Sequence, residues 1–165
     1  MSRILLMMLL LFGASSYAFA NCTDIDSSDC PPQQPLLTIE ASFAELPYGQ
    51  VWDVRYGGGE EVGIEISSPP PRFGTISGTV SLASEDSASL RKVIGEQRFF
   101  ELTNHIASGY PLHRPKLMLR IRLGEKTRTV DLYDPVNSKS HPESARFLAV
   151  WDKFFALLPV HPSWE

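Results

Sequence analysis

The chain has 165 residues, with 15 lysines and arginines against 19 aspartates and glutamates, for a net charge of −4. Its hydrophobic fraction of 43% and charged fraction of 21% are those of an ordinary globular domain. Nothing in this acidic balance suggests a nucleic-acid binder or a protein held on anionic membranes by charge, and the length suits a single domain able to bury a core without metals.

The N-terminus reads as an address. Arg3 precedes an unbroken apolar run from Ile4 to Phe12, and small residues lead to Ala18-Phe19-Ala20. That order is the layout of a secretory signal peptide, residues 1–20. The apolar run is too short to span a hydrocarbon core of about 30 Å, so no permanent membrane anchor is expected. Asn21 before Cys22 stands against lipid attachment. The mature chain is expected to begin at Asn21, in the periplasm or secreted.

Residues 21–35 form an acidic tether ending in Pro31-Pro32 and Pro35. Cys22 and Cys30 are the two cysteines, and in an oxidising compartment they read as a disulfide. The acids between them lack the turn glycine of a calcium loop, and Pro35 stands where its closing glutamate belongs. No metal and no cofactor is expected. Residues 36–165 are read as a single α+β domain.

The segment Val51–Ser67 predicts a hairpin. Trp52, Val54 and Tyr56 alternate with polar residues, as do Val62, Ile64 and Ile66 across the Gly57–Glu61 loop. Tyr56 opposite Val62 places all six on one face and Asp53, Arg55 and Glu65 on the other. A helix is expected from about Ser84, taken as its N-cap, with Glu85 and Asp86 in the first turn and a stripe of Leu90, Val93 and Ile94. A second hairpin pairs Leu117–Leu123 with Lys126–Tyr133 around Gly124-Glu125. A second helix opens with Ser140, Pro142 and Glu143 in capping-box order and runs through Phe147, Trp151 and Phe155 to Pro159.

Hairpin, helix, hairpin, helix implies an α+β fold: an antiparallel sheet of about four strands with both helices packed on one face. Residues 36–46 and 72–83 are read as possible short strands or edge segments.

Charge is segregated along the chain. Acids crowd residues 21–65, where Arg55 is the single base, and bases crowd residues 110–130, where Glu125 is the single acid. Either the two segments lie side by side and neutralise each other, or the basic one is offered to an acidic partner. Arg120 and Arg122, two apart on the outward face of their strand, could grip a carboxylate or phosphate. Cross-strand pairing is the plainer use for them. Glu60 and Glu61 tip the glycine-rich loop, and His113 and Arg114 lie in the Thr103–Pro115 connection. These six residues are the binding candidates.

No catalytic motif is present: no Gly-x-Ser-x-Gly, His-Glu-x-x-His, Ser-x-x-Lys or Cys-x-x-Cys. His105, His113, His141 and His161 are not at metal-ligand spacing. A small hydrolase whose site forms around residues 103–115, with His105 or His113 beside an acid and Ser108, is the alternative to a non-catalytic binding protein with a protein partner.

Tyr56-Gly57-Gly58, Gly78-Thr79-Val80-Ser81-Leu82 leading into Leu90, Phe99-Phe100-Glu101-Leu102, Leu117–Tyr133 and a closing helix together resemble the layout of emfourin-type proteins. Those are small bacterial inhibitors of thermolysin-like metalloproteases. The resemblance covers roughly residues 50–158 and implies a non-catalytic inhibitor. It is carried by structural positions, so it designates no inhibitory residue. The signal peptide, Pro69-Pro70-Pro71-Arg72 and the cysteine pair are departures from it.

Overall fold

A computed structural model describes residues 34–44, 49–68, 74–107, 114–160 and 162. The expected signal peptide, residues 21–33 of the tether with Cys22 and Cys30, and Ser108, His113 and His161 lie outside the described residues.

The described chain forms β1 (Leu37–Ala44), β2 (Val51–Tyr56), β3 (Glu61–Ser68), β4 (Gly74–Ser81), α1 (Ser84–Glu96), β5 (His105–Ile106), β6 (Lys116–Leu123), β7 (Lys126–Tyr133) and α2 (Pro142–Phe155). Single 3₁₀ turns, Phe99–Glu101 and Asn137–Ser140, follow α1 and precede α2. The strands make one seven-stranded sheet ordered β4-β3-β2-β1-β6-β7-β5. It is mixed: β5 runs parallel to β7 and every other pair is antiparallel.

This corrects the four-strand antiparallel sheet in hairpin-helix-hairpin-helix order. Leu37, Ile39, Ala41 and Phe43 make β1 the central strand rather than an edge segment, because it is antiparallel to β2 on one side and to the distant β6 on the other. β4 extends the first hairpin into a three-stranded meander. β5 adds the parallel pair through His105 opposite Asp131 and Ile106 opposite Leu132.

Both hairpin registers are those given by side-chain alternation. Tyr56 faces Val62 and Trp52 faces Ile66, while Leu119 faces Val130 and Leu117 faces Leu132. Turn chemistry fixes the ends. Gly124 sits at φ +60°, as the first residue of a two-residue hairpin turn with glycine there requires. Gly58 sits at φ +86°, and a Cβ there would meet the Leu37 carbonyl oxygen at 2.8 Å.

The inward face of β1, β2, β6 and β7 supplies the core, with Ile39, Val54, Leu117, Leu119, Ile121, Val130 and Leu132 fully buried. The helices supply Leu90, Ile94, Phe147, Val150, Trp151, Phe154 and Phe155. Each such aliphatic side chain stabilises the fold by about 1.5–3 kcal/mol. Aromatic contacts run along α2, from Phe147 to Trp151 at 6.1 Å and Trp151 to Phe155 at 4.4 Å between ring centroids. Tyr56 ties the sheet to α1 through a 3.2 Å bond from its hydroxyl to Ser87 Oγ.

Helix ends differ from expectation by one residue. Ala83 is the N-cap of α1, and its N–H donates to Asp86 Oδ2 at 3.3 Å. The N-cap of α2 is His141, whose Nδ1 accepts from Glu143 N at 3.3 Å, with Pro142 in the first turn. Ser140 belongs to the preceding 3₁₀ turn. The last turn of α1 holds no basic residue. Arg146 of α2 serves instead, with Nε donating to the Gln97 carbonyl and Nη2 to the Arg98 carbonyl, both at 2.8 Å. Arg98 itself turns the chain at φ +47°.

Candidate functional site

Strand alternation sends one set of side chains into the core and the other to the opposite face of the sheet. Thr38, Glu40, Asp53, Arg55, Glu65, Ser77, Lys116, Arg120, Arg122, Asp131 and His105 share that outer face by register. The two charged segments of the sequence meet across β1. Glu40 stands opposite Arg55 on β2 and Arg120 on β6, and its Oε2 lies 3.6 Å from Arg120 Nη1.

Most of the cations are engaged within the fold. Arg122 Nε donates to the Gly124 carbonyl at 3.0 Å, and Arg114 Nε lies 3.7 Å from Asp134 Oδ2. Lys116 Nζ lies 3.2 Å from Asp131 Oδ1 and 5.2 Å from the centre of the Tyr133 ring. Burial acts against the Lys116 charge, but the Asp131 carboxylate and hydrogen bonds to Asp131 and Tyr133 outweigh it, so its pKa lies above the ordinary lysine value of 10.5.

At the β5 edge, His105 Nδ1 lies 3.1 Å from Asp131 Oδ2. Asp131 is only 8% exposed and meets two partners, the His105 imidazole and the Lys116 ammonium. This pairing could orient an imidazole. The ring is 71% exposed, however, and among the described residues no hydroxyl or thiol hydrogen-bonds to it. Nor do the described residues hold a group of three or more side chains able to bind a metal.

A different place sets two carboxylates against each other. Register sets Asp53 on β2 directly opposite Glu65 on β3. Like charges directly opposed across a ladder destabilise a sheet, and no described cation lies within ion-pair distance of either carboxylate. The two acids wall a depression of about 230 Å³ on the outer face, together with Arg55 and Ser77. Gly63 leaves the space open, since it stands between Arg55 and Thr79 in register without a side chain. A Cβ added there would meet only the Arg55 carbonyl oxygen, at 3.9 Å.

The sequence candidates are scattered by comparison. Arg120 and Arg122 lie on β6, three strands from the exposed Glu61 at the start of β3. Glu60 is an exposed turn residue whose carbonyl accepts from Leu82 N at 2.6 Å. Arg114 is at the opposite end of β6 from Arg122. His113 lies outside the described residues. The Asp53–Glu65 opposition was implicit in the hairpin register, whereas Ser77 and the glycine opening needed β4 to be placed.

Among known proteins, no family model and no curated sequence matches this chain.

Proposed function

We propose that the chain is an exported, non-catalytic binding protein whose protein partner docks on the uncovered sheet face, seating a basic side chain between Asp53 and Glu65. The observation that carries this reading is the directly opposed acid pair, without an ion-pair partner among the described residues, at the mouth of an open depression. A lysine or arginine from a partner would relieve the repulsion and gain charge-assisted hydrogen bonds. Arg55 beside the pair favours a partner group that carries an acceptor next to its cation. The likeness to emfourin-type inhibitors makes an extracellular metalloprotease the first partner to test, and the signal-peptide layout supports an encounter in the periplasm or outside the cell. No cofactor and no nucleic acid enters this reading.

The test titrates the mature chain against panels of extracellular metalloproteases and serine proteases, with Asp53→Asn, Glu65→Gln and Gly63→Val beside the wild type. Gly63→Val fills the depression without a backbone clash. The expected result is slowed proteolysis at micromolar protein, weakened roughly tenfold or more by each variant, the scale of one central interface contact. No slowing of any protease removes inhibition. Inhibition indifferent to all three variants removes the depression as its seat.

A further inference from the structure

One edge of the sheet is unlike the other. β5 closes one side with two residues, whereas β4 leaves eight residues, Gly74–Ser81, with a neighbour on one side only. Every residue from Gly74 to Thr79 is exposed. Free edges are commonly guarded by charge, proline or a bulge, but Gly-Thr-Ile-Ser-Gly-Thr-Val-Ser contains no charge and no proline. Ile76 lies on the helix side of the sheet opposite Ile66, and it is 71% exposed, the most exposed of the large hydrophobics among the described residues. Val80, where the strand runs into α1, is partly covered.

We infer that β4 is an interaction edge whose occupant is the β4 of a second copy of this chain, paired antiparallel about a two-fold axis normal to the sheet at Ser77. Such an axis keeps both helix layers on the same side, so inward residues must oppose inward residues. With Ser77 opposite Ser77 of the second copy, Ile76 faces Gly78 and Val80 faces Gly74. Each bulky inward side chain then has a glycine across the seam. On the outer face Thr75 meets Thr79, a pairing favoured in sheets.

The two Ile76 side chains become diagonal neighbours about 7–8 Å apart, so the apolar row Ile66–Ile76 continues across the axis. Charge permits the approach. Glu65 and its counterpart would be separated by three strand spacings, about 14 Å, beyond the screening length of about 8 Å at physiological salt. The pairing shares Ser77 and Gly78 with the rim of the depression but needs neither Asp53 nor Glu65, so failure of one reading leaves the other standing.

The register supplies a direct test in the full mature chain. Residues opposed at the axis have Cα atoms about 4.5–5.5 Å apart, within the disulfide range of about 4.4–6.8 Å. Ser77→Cys should therefore oxidise to a covalent dimer. Thr75→Cys should not, because its counterpart is offset by four residues, about 13 Å. The wild type under the same oxidant gives the background from Cys22 and Cys30.

In sedimentation equilibrium the wild type should pass from monomer to dimer with concentration. Ile76→Lys should weaken that dimer by roughly tenfold or more with an unchanged circular dichroism spectrum, since the residue is exposed. A wild type that stays monomeric at high micromolar concentration overturns the inference and leaves the edge to a strand of another protein. Equal cross-linking of Ser77→Cys and Thr75→Cys, or a dimer indifferent to Ile76→Lys, overturns it as well.

Discussion

Replacing Arg146 by alanine should be among the most damaging changes on the surface of this molecule. One guanidinium accepts the role of C-cap for a helix to which it does not belong. Nε and Nη2 reach the Gln97 and Arg98 carbonyls at 2.8 Å each, where α1 ends without a basic residue of its own. A hydrogen bond from a charged donor contributes about 1.5–3 kcal/mol, and a cation at a helix C-terminus about 0.3–1 kcal/mol more. The side chain is partly exposed, so water can recover some of the loss at both carbonyls. A net cost of about 3 kcal/mol is a fair central value, corresponding to a fall in Tm of roughly 10 °C for a domain of this size. Chemical denaturation of the wild type, Arg146→Ala and Arg146→Lys measures it. Lysine keeps the charge but not the fork that spans two carbonyls, so it should restore less than half. A loss under about 1 kcal/mol for alanine, or full rescue by lysine, would refute the capping argument.

Four further outcomes follow from the geometry. Arg98→Gly should raise stability by about 0.5–1 kcal/mol, because glycine adopts the φ of +47° without steric cost; thermal melts decide it. Glu143 is held below the ordinary glutamate value of 4.5, first by the hydroxyl of Thr103, which donates to Oε2 at 2.5 Å, and also by the Thr103 N–H. Its contribution is therefore present above pH 4.5 and lost as pH falls through the lower folded value, so Glu143→Gln should flatten the acid limb of a stability–pH profile. Lys116, raised above 10.5 chiefly by Asp131 against the effect of burial, contributes fully below that value, and its contribution fades as pH rises through the folded pKa. Lys116→Met should remove that alkaline dependence. Asp53→Asn should stabilise the isolated chain by about 0.2–1 kcal/mol by ending a direct like-charge opposition, measured by urea unfolding.

What the sequence made legible was whatever a local pattern could carry. Alternation gave the two hairpins their registers, because a slip of one residue would have turned Val54 or Leu119 into water. It could not assign β1 its rank. Leu37, Ile39, Ala41 and Phe43 alternate cleanly, but the partner on one side, β6, lies far along the chain and no turn announces it. β4 gave almost no signal, since a strand with one free edge and both faces largely wet needs few apolar residues; Ile76 and Val80 are all it has. β5 is two residues long, and its place depends on β7 arriving beside it. The helix caps were missed by one position for a related reason. Ser84 and Ser140 are good caps in isolation, yet Asp86 and the imidazole of His141 satisfy the end groups from neighbouring positions.

The same logic separates the charged residues that hold the sheet together from those left for a partner. Segregated in sequence, the acids and bases are brought to adjacent strands by the central position of β1, and there most of the conspicuous cations find an internal acceptor. Arg120 has Glu40, Arg114 has Asp134, and Lys116 has Asp131. Their prominence in the sequence was thus a sign of structural pairing. Asp53 and Glu65 look unremarkable in sequence, each the polar member of an alternating strand. The register that buries Val54 against Ile64 and Trp52 against Ile66 also forces these two carboxylates to face each other. Hydrophobic burial on one face fixes an electrostatic cost on the other, and Gly63 keeps open the space in which an external cation can remove it. If that coupling is right, neutralising either acid strengthens the free protein and weakens the complex. An interaction that only held the fold together could not produce that opposition of effects.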